Sequence, residues 1–540
     1  MKNDIEVRLS YKFGDKKRNI RVSGEFDDEN ISLCAAVTEK NIIARIVSRI
    51  PVEIVKFSVT LPYVFDTDDK IFLNGWQSNT ECCERDAFSK KSVISSASQR
   101  LAAQGDYSFK KYPDAKGAYH GWSYAYIRND LTYKLFCSLN EKTGFTAITF
   151  DVKNSAVILE KETEGLVIDG EYSLMDAAIY EGSEDEVFSA WFTSLDVKRT
   201  SAEPMRGYTT KYSYYMDFDE QALDEDLSKI STEDYELYLI DEGYETAAGD
   251  WTFAETEKFP SAMKSAVDRI HEKGFKAGVW LSPFIADKSS RLYSEHPEWI
   301  LKDENGKPVY AGRRKNAFIL DFSVESVRIH ISRSVKAALD CGFDLIKLDD
   351  LYAACALPFG GKTRGEIMHE AMDFLRDCAQ DKLILACGVP LESAFGKADY
   401  CRVSCDNSEK WAEKRGSREA ASSLDAVYSA VFRRQLNERG FLNETDAYSL
   451  TDPALKLTYE QRQSVSFVSN LAGEMVFLYD DTSEYSEDVL SLFIEDKRLL
   501  GASLSSAYRD ENFLYITYID DEEEEQTVLL DTKSGVLLSE

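Results

Sequence analysis

The sequence predicts an α/β protein: a central (β/α)8 TIM barrel between an N-terminal β-sandwich and a small C-terminal antiparallel β domain. Residues 1–195 alternate apolar and polar residues in short runs, and residues 200–485 alternate short apolar strands with amphipathic helices. The period of two returns in residues 490–540. A chain of 540 residues is also too long for one hydrophobic core, so these three ranges are the predicted domains.

The two outer domains are predicted from period-two segments. In the first domain, residues 31–37 (Ile-Ser-Leu-Cys-Ala-Ala-Val) and 146–152 (Thr-Ala-Ile-Thr-Phe-Asp-Val) are typical, and Gly, Asn and Asp separate such runs. In the last domain, residues 513–519 (Phe-Leu-Tyr-Ile-Thr-Tyr-Ile) precede an acidic run that is typical of a hairpin tip. Short strands of this kind favour a β-sandwich and a small antiparallel sheet, respectively.

The barrel is predicted from eight apolar segments, three of which are followed by clear helical patterns. The predicted helices cover 262–273, 324–339 and 365–378, and Gly274 and Gly342 end the first two. Strands that alternate with helices favour parallel βα units, and eight of them favour a closed barrel. The predicted strands are 208–212, 237–240, 276–281, 318–321, 344–348, 382–386, 400–404 and 440–442.

Composition disfavours several classes of partner. The net charge is −31, and nucleic acids and anionic membranes are bound by basic surfaces. No apolar run reaches the length of a membrane span, and the first residues lack a signal-peptide core. The ten cysteines and five histidines show no metal-ligand spacing. We therefore predict a cytoplasmic protein with reduced thiols, no metal, no cofactor, no nucleic acid partner and no membrane partner.

The segment 343–350 (Phe-Asp-Leu-Ile-Lys-Leu-Asp-Asp) brings Lys347, Asp349 and Asp350 to the end of a predicted barrel strand. Barrel enzymes place their active sites at these strand ends. Asp-Asp pairs also occur at other positions, so the place in the fold matters more than the dipeptide. Strand alternation puts Lys347 and Asp349 on one face. An adjacent ammonium lowers a carboxyl pKa, which suits a nucleophile; a structural ion pair is the alternative.

A second acidic strand end lies at 400–406 (Tyr-Cys-Arg-Val-Ser-Cys-Asp). Alternation places Arg402, Ser404 and Asp406 on one face, and the guanidinium offers several donors to sugar hydroxyls. A general acid must carry a proton, and a nearby carboxylate would raise the pKa of Asp406. Two carboxylates on neighbouring strand ends, each beside a cation, favour retaining glycoside hydrolysis.

Three more loops are predicted at the same end of the barrel. They carry carboxylates, which accept hydrogen bonds from sugar hydroxyls, together with aromatic side chains. A single motif of this kind more often contributes to packing than to function, but the order of all three along the barrel favours a sugar-binding site. The loops are Ile240-Asp-Glu-Gly-Tyr244 with Gly249-Asp-Trp251, Trp280-Leu-Ser-Pro-Phe284 and Cys387-Gly-Val-Pro-Leu391.

The order of these motifs resembles glycoside hydrolase family 36, the bacterial α-galactosidases. The resemblance covers residues from about 200 to 480, and it extends to the segment 74–78 (Asn-Gly-Trp-Gln-Ser), which is similar to one that reaches the family's active site. It implies a retaining double displacement with Asp349 as nucleophile and Asp406 as acid/base. It also implies a sugar pocket formed by Asp241, Glu242, Trp280, Lys347, Cys387, Arg402 and Trp76.

The chain departs from the family pattern at three places. The family usually has Asp-Asp-Gly-Trp where this chain has Asp-Glu242-Gly-Tyr, and the extra methylene moves the carboxylate about 1.5 Å further. Cations replace usual tryptophans at Lys211 and in a loop that contains Arg313 and Arg314. One interpretation is that these substitutions have no effect on function. The other is that the sugar or its leaving group is modified, for instance anionic, and that these cations bind it.

The sequence as a whole predicts an exo-α-glycosidase of the α-galactosidase type that acts on a small carbohydrate. Two alternatives remain on the same fold, namely an α-N-acetylgalactosaminidase or a transglycosylase. A catalytically silent sugar-binding protein is a third. Family relatives often assemble through the β-sandwich, so a homo-oligomer is also predicted, with Trp76 entering its own site or a neighbour's.

Overall fold

The structure is a computed structural model. It describes residues 5–80, 82–89, 117–251, 253, 256–312, 316–412, 422–510 and 512–539. Its central barrel, antiparallel N-terminal sheet and antiparallel C-terminal sheet confirm the predicted fold class.

The N-terminal domain is built on one long strand, Asn41–Pro62. Its first half pairs with Ile31–Val37 and Val167–Gly182, and its second half pairs with Glu6–Phe13 and Ala156–Lys161. The sheet therefore branches and encloses an apolar core. The other strands that the structure describes in this sheet are Lys16–Val22, Glu25–Asp27, Lys70–Leu73, Cys83–Asp86, Ala118–Trp122, Tyr124–Asn129, Thr132–Ser138 and Thr146–Asp151.

The barrel closes in chain order, and every pairing in it is parallel. Its second, fourth and eighth strands are wholly buried and mostly apolar, as expected where helices cover a parallel sheet. Within the described ranges the eight strands are Met205–Thr209, Leu237–Ile240, Lys276–Leu281, Leu345–Leu348, Leu383–Ala386, Tyr400–Arg402, Leu442–Glu444 and Met475–Leu478.

Two predicted strand assignments are wrong. The segment 318–321 does not enter the barrel, because Ala317–Ile319 pairs antiparallel with Ile285–Asp287 in a separate two-stranded ribbon. The last barrel strand is Met475–Leu478, and it pairs with Met205–Thr209 to close the ring. The first strand also ends earlier than predicted, so that Lys211 begins a short helix instead of extending the strand.

The helices begin and end at the expected cap residues. Thr363 and Thr458 form capping boxes at two helix starts, and Gly342 ends the longest helix at a φ of 100°. The α-helices among the described residues are Glu184–Leu195, Lys211–Tyr214, Glu220–Lys229, Ala262–Glu272, Arg291–Glu295, Glu325–Cys341, Arg364–Ala379, Ser423–Phe432, Tyr459–Ala472 and Glu487–Lys497.

The C-terminal sheet is an antiparallel meander that follows the helix Glu487–Lys497. Its strands are Ser503–Asp510, Phe513–Ile519, Glu525–Asp531 and Val536–Ser539. The helix lies across the predicted start of this domain at residue 490, and the domain limits stay predictions. None of the helices in the described part of the chain is long and apolar enough to cross a membrane.

Candidate active site

The candidate site lies at the carboxyl ends of the barrel strands. Asp349 directly follows the fourth strand, and Asp406 lies four residues beyond the sixth. The fifth strand, which ends just before Cys387, lies between them. The prediction that the two acidic strand ends are neighbours is therefore wrong. The two carboxyls nevertheless interact, because the charge of Asp349 acts on the titration of Asp406.

Asp349 is held by two donors. The indole Nε1 of Trp280 donates to its Oδ2 at 3.0 Å, and the backbone N–H of Asp350 donates to its Oδ1 at 2.7 Å. Trp280 is itself fixed, since Tyr244 donates to its carbonyl and Trp251 packs edge-on at 5.5 Å. Donors to both carboxylate oxygens orient the group and favour its charged form. These contacts suit a nucleophile.

Lys347 forms its ion pair with Asp241 at 2.6 Å, whereas the sequence had suggested Asp349 as its partner. Both side chains are almost completely buried. The backbone of Asp241 donates to Thr210, and the N–H of Glu242 donates to the Asp241 carboxylate at 2.8 Å. The ammonium therefore links the second and fourth strand ends. Sequence alternation along one strand could not reveal this partner on another strand.

Asp350 takes part in the packing below the site. Its backbone is left-handed, with a φ of 51°, and its carboxylate accepts from Ser282 at 3.0 Å. The loop that contains Ser282 follows the third strand, next to the fourth. Asp350 therefore joins two strand ends while its neighbour Asp349 keeps its own donors.

Two cations contact Asp406. Arg402 donates from Nη1 to Oδ1 at 3.1 Å, and the ammonium of Lys211 lies 3.8 Å from the same oxygen. Arg402 also binds Glu444 through Nε and pairs with Asp446 through Nη2 at 2.7 Å. The guanidinium thus contacts three carboxylates. Asp406 keeps a side chain that is 53% exposed, while Arg402 is buried.

The prediction that Asp406 has a raised pKa is wrong. Lys211 lowers the pKa of Asp406 most, and Arg402 adds to the effect. Desolvation and the charge of Asp349 act in the opposite direction, but they do not outweigh the two cations. Lys211 lies on the helix after the first strand, far in sequence from Asp406. The prediction took account of the nearby carboxylate of Asp349 but not of the ammonium of Lys211.

The carboxylates of Glu444 and Asp446 were missed from the sequence. Glu444 is the last residue of the seventh strand, whose end had been placed near residue 442, and Asp446 lies two residues beyond it. Asp446 has a φ of 73° and also accepts from the hydroxyl of Tyr212 at 2.8 Å. The pattern of acidic residues after an apolar strand, which led to Asp349, is also present here and would have found both.

The remaining predicted residues are placed as follows. Cys387 is buried, and burial raises the pKa of its thiol well above the usual range. Trp76 is buried and packs edge-on against Phe145 at 5.6 Å. Arg313 and Arg314 lie outside the described residues.

Trp76 belongs to a loop that is joined to the barrel by Arg433. This arginine donates to Asn74 Oδ1 at 3.0 Å and to the carbonyl of Gln77 at 3.2 Å, and it also donates to the carbonyl of Val403. Val403 lies directly after Arg402. The N-terminal loop therefore reaches the sixth strand end of its own chain.

The described residues contain no group of three or more His, Cys, Asp or Glu side chains that could hold a metal ion. The carboxylates of Asp406, Glu444 and Asp446 surround the guanidinium of Arg402. Ion pairing with arginine accounts for their charge.

Comparisons with known proteins agree with this geometry. The melibiase family profile matches residues 208–358, which include the second, third and fourth strands and Asp349. A bifunctional α-galactosidase/sucrose kinase of Mediterraneibacter gnavus is 29% identical over 153 residues, which cover 26% of this chain and 16% of that protein. An A type blood α-D-galactosamine galactosaminidase of Flavonifractor plautii is 35% identical over 85 residues, which cover 15% of this chain and 8% of that protein.

The structural comparison covers almost the whole chain. The α-galactosidase of Thermus thermophilus, solved with p-nitrophenyl α-D-galactopyranoside, superposes with a TM-score of 0.70 at 24% identity. The match covers 93% of this chain and 98% of that one, so the two share a fold. The curated relatives, by contrast, are matched over less than a quarter of their length. The chain is therefore similar to the melibiase family over residues 208–358, and it shares the fold of a known α-galactosidase over almost its whole length.

Proposed function

We propose that this protein is a retaining exo-α-glycosidase of the α-galactosidase type. The observation that carries the proposal is the asymmetry of the two carboxyls. Asp349 is fixed by donors to both oxygens, while Asp406 is half-exposed and faces two cations. A fixed anion suits attack on carbon, and an accessible carboxyl suits proton exchange with a leaving group and with water.

In the first step, an Asp349 oxygen forms a bond with the anomeric carbon of the sugar. The bond between that carbon and the glycosidic oxygen breaks, and its electron pair stays with the oxygen. Asp406 donates its proton to this oxygen, so the leaving group departs as a neutral alcohol. The sugar is then esterified to Asp349, and Asp406 is a carboxylate.

In the second step, Asp406 accepts a proton from water while the water oxygen forms a bond with the anomeric carbon. The ester bond to Asp349 breaks, and both carboxyls return to their starting forms. Two displacements restore the original anomeric configuration. Arg402 and Lys211 stabilise the Asp406 anion between the steps, which assists departure of its proton and opposes its return.

Asp241 and Lys347 are proposed to bind sugar hydroxyls. Their buried pair presents acceptor and donor groups together at the strand ends, beside the wall formed by Trp280. The aromatic wall offers an apolar face to the sugar ring, and the charged pair fixes its orientation. The names of the relatives support a terminal α-galactoside as the sugar.

Trapping of the covalent intermediate tests the mechanism. A 2-deoxy-2-fluoro galactosyl donor with a good leaving group forms the ester but slows its hydrolysis, so mass spectrometry should locate one sugar on the peptide that contains Asp349. Asp349→Ala should lower kcat by about 10⁴-fold or more and take up no label. Absence of label in the wild-type protein would favour the silent sugar-binding alternative, and inversion seen by proton NMR of the released sugar would exclude a retaining mechanism.

Leaving-group dependence tests the role of Asp406. Asp406→Ala should keep most of its kcat/KM on aryl α-galactosides with acidic phenols, because kcat/KM reports the first step and such leaving groups need little protonation. The same variant should lose about 10²–10⁴-fold on unactivated disaccharides. Equal losses on both classes would contradict the assignment of Asp406 as the acid.

The changed positions around the pocket are proposed to alter the preferred substrate. Glu242 and Lys211 differ from the usual family residues, and Lys211 contacts Asp406 in the described structure. A set of plain, N-acetylated and anionic α-glycosides tests this proposal by kcat/KM. Fastest turnover of the plain α-galactoside would show that the changes do not select a modified sugar.

The second candidate is an α-N-acetylgalactosaminidase, favoured by the similarity to the galactosaminidase of Flavonifractor plautii. An N-acetylated substrate in the same set distinguishes it. Analysis of products in the presence of acceptor sugars distinguishes the transglycosylase. Action in the cytoplasm and self-association stay predictions, which cell fractionation and light scattering can test.

A further inference from the structure

We propose that Glu392 is a positioning residue, which holds the loop after the fifth barrel strand against the N-terminal domain through a neutral, hydrogen-bonded carboxyl. The proposal rests on the function proposed above. Glu392 is buried and lies in the short turn Leu391–Ala394, in the same loop as Cys387. Its partners lie in the N-terminal domain.

The loop from Cys387 to Glu392 is bonded to the segment that follows the proposed nucleophile Asp349. The carbonyl of Cys387 accepts from the N–H of Leu351 at 3.3 Å, and the next carbonyl accepts from the N–H of Tyr352 at 2.9 Å. The charge of Asp349 also acts on the Cys387 thiol. A displacement of this loop would therefore move the backbone next to Asp349.

A serine hydroxyl joins Glu392 to a second buried carboxyl. Ser123, in the N-terminal domain, donates from Oγ to Glu141 Oε2 at 2.9 Å, and it also interacts with the carboxyl of Glu392. A hydroxyl has only one proton to donate. Because the backbone N–H of Thr146 also donates to Glu141 Oε2, at 3.0 Å, Glu141 is the carboxyl that is stabilised as an anion. Glu392 then carries a proton and donates it to Ser123.

The charges at this interface also favour a proton on Glu392. Glu141 and Lys161 are the charged groups that act on it. The buried ammonium of Lys161 donates to two neutral acceptors, the carbonyl of Asn140 at 2.5 Å and the hydroxyl of Thr146 at 3.4 Å. Two buried carboxylates beside one cation would leave an unbalanced charge, which a proton removes. Burial and the charge of Glu141 accordingly raise the pKa of Glu392 well above its usual range.

The other ionisable groups around the interface do not supply a balancing charge. Burial raises the pKa of the Cys137 thiol and lowers that of the His369 ring, so both are neutral at about pH 7. Lys142 is exposed to solvent. The remaining charged neighbours form ion pairs of their own, namely Glu162 with Arg364, Asp176 with Arg45 and Lys397 with Asp373.

Equilibrium unfolding in urea tests the buried proton independently of activity. Above the usual pKa of a glutamate, the unfolded chain releases this proton while the folded chain retains it, so the wild-type protein loses stability as the pH rises. Glu392→Gln keeps a donor and cannot ionise. From about pH 5 to 8, the unfolding constant of the wild-type protein, divided by that of this variant, should increase about tenfold per pH unit until Glu392 ionises in the folded chain.

Glu272→Gln is the matched control, because it makes the same exchange at an exposed helix end. The corresponding ratio for this control should not change with pH. A ratio for Glu392→Gln that is constant with pH would overturn the proposal. A stabilisation of the wild-type protein by Na⁺ or K⁺ that Glu392→Gln abolishes would also overturn it, because a bound cation would then replace the proton.

The positioning role is tested by kcat/KM on p-nitrophenyl α-galactoside at about pH 6. Glu392→Gln should stay within about twofold of the wild-type protein, because its amide still donates to Ser123. Glu392→Leu fills a similar volume without a donor, and we expect kcat/KM to fall about tenfold. Equal activity of the two variants would show that Glu392 only fills space and would overturn its positioning role. Absence of p-nitrophenol release by the wild-type protein would instead refute the proposed function, while the unfolding experiment would still decide on the buried proton.

Discussion

Among single residues, Lys211 is expected to influence the pH dependence of catalysis most, through its ammonium group. It lies 3.8 Å from Asp406 and is the main cause of the lowered pKa of that carboxyl. Burial disfavours the charged lysine, but Asp406 and other carboxylates outweigh this and raise the pKa of Lys211 well above the usual range. Lys211 therefore stays charged wherever Asp406 titrates.

We predict that Lys211→Met shifts the alkaline limb of the kcat/KM profile to higher pH. Asp406 must be protonated to act as acid, so activity falls as the pH rises through its pKa. Removal of the cation that lowers this pKa raises it, and the proton is retained to higher pH. Profiles should be measured on an unactivated disaccharide, where protonation of the leaving group matters.

Lys211→Arg is the control, since it keeps the positive charge and should leave the limb near its original position. A downward shift in Lys211→Met, or equal shifts in both variants, would contradict the electrostatic explanation. An aryl substrate with an acidic phenol should show little change in the alkaline limb, because its departure depends weakly on Asp406.

The two proposed catalytic residues, Asp349 and Asp406, were selected from the sequence because each follows an apolar strand, and their roles stay predictions. Their partners were not found in this way, because contacts such as Lys347 with Asp241 and Lys211 with Asp406 join strand ends that are far apart in the chain. Local alternation describes one strand, whereas pairing across a closed barrel depends on the whole fold.

At the scale of elements, the barrel was predicted with seven of its strands, and the error has a physical cause. Both Ala317–Ile319 and Met475–Leu478 are short buried apolar runs, and periodicity alone does not separate a ribbon from a parallel strand. The ribbon partner Ile285–Asp287 lies just beyond the third strand. A hairpin-like extension of a loop therefore took the place of a barrel strand in the prediction.

We predict that Gly243→Ala damages the loop that follows the second strand. Its φ of 120° already disfavours alanine, and the added Cβ would lie 1.9 Å from the carbonyl oxygen of Tyr215. The helix turn that carries Tyr215 must then move. We expect a lower melting temperature and a loss of kcat/KM of at least about tenfold on raffinose.

Gly306→Ala provides the comparison for this loop variant. Gly306 also has a positive φ, of 76°, but a Cβ there would meet no atom within 4 Å. This variant measures the backbone cost alone, about 1 kcal/mol, with activity unchanged. Similar losses of activity in the two variants would show that the contact with Tyr215 is not the cause.

At the scale of the whole molecule, the N-terminal domain and the barrel share a buried polar interface. Arg434 pairs with Glu184 at the start of the helix Glu184–Leu195, and both side chains are almost fully buried. Arg433, also buried, binds the loop that contains Trp76. Composition and periodicity predicted two separate domains. They could not predict that arginines of the barrel would complete the backbone hydrogen bonds of a loop in the first domain.

This interface leads to a prediction about coupling between the domains. Arg433 donates to four acceptors of the loop 74–78, namely the side chain of Asn74 and the carbonyls of Gly75, Gln77 and Ser78. Arg433→Met fills a similar volume but removes the guanidinium donors from these acceptors, at a cost of about 3 kcal/mol. We expect a lower free energy of unfolding in urea and a reduced kcat/KM, because the loop approaches the sixth strand end.

Arg439→Met is the control at the same interface, where the partner Asp185 is 79% exposed and the ion pair contributes about 0–1 kcal/mol. If both variants lost similar stability, or if Arg433→Met unfolded the first domain without affecting activity, the loop would not support the catalytic site.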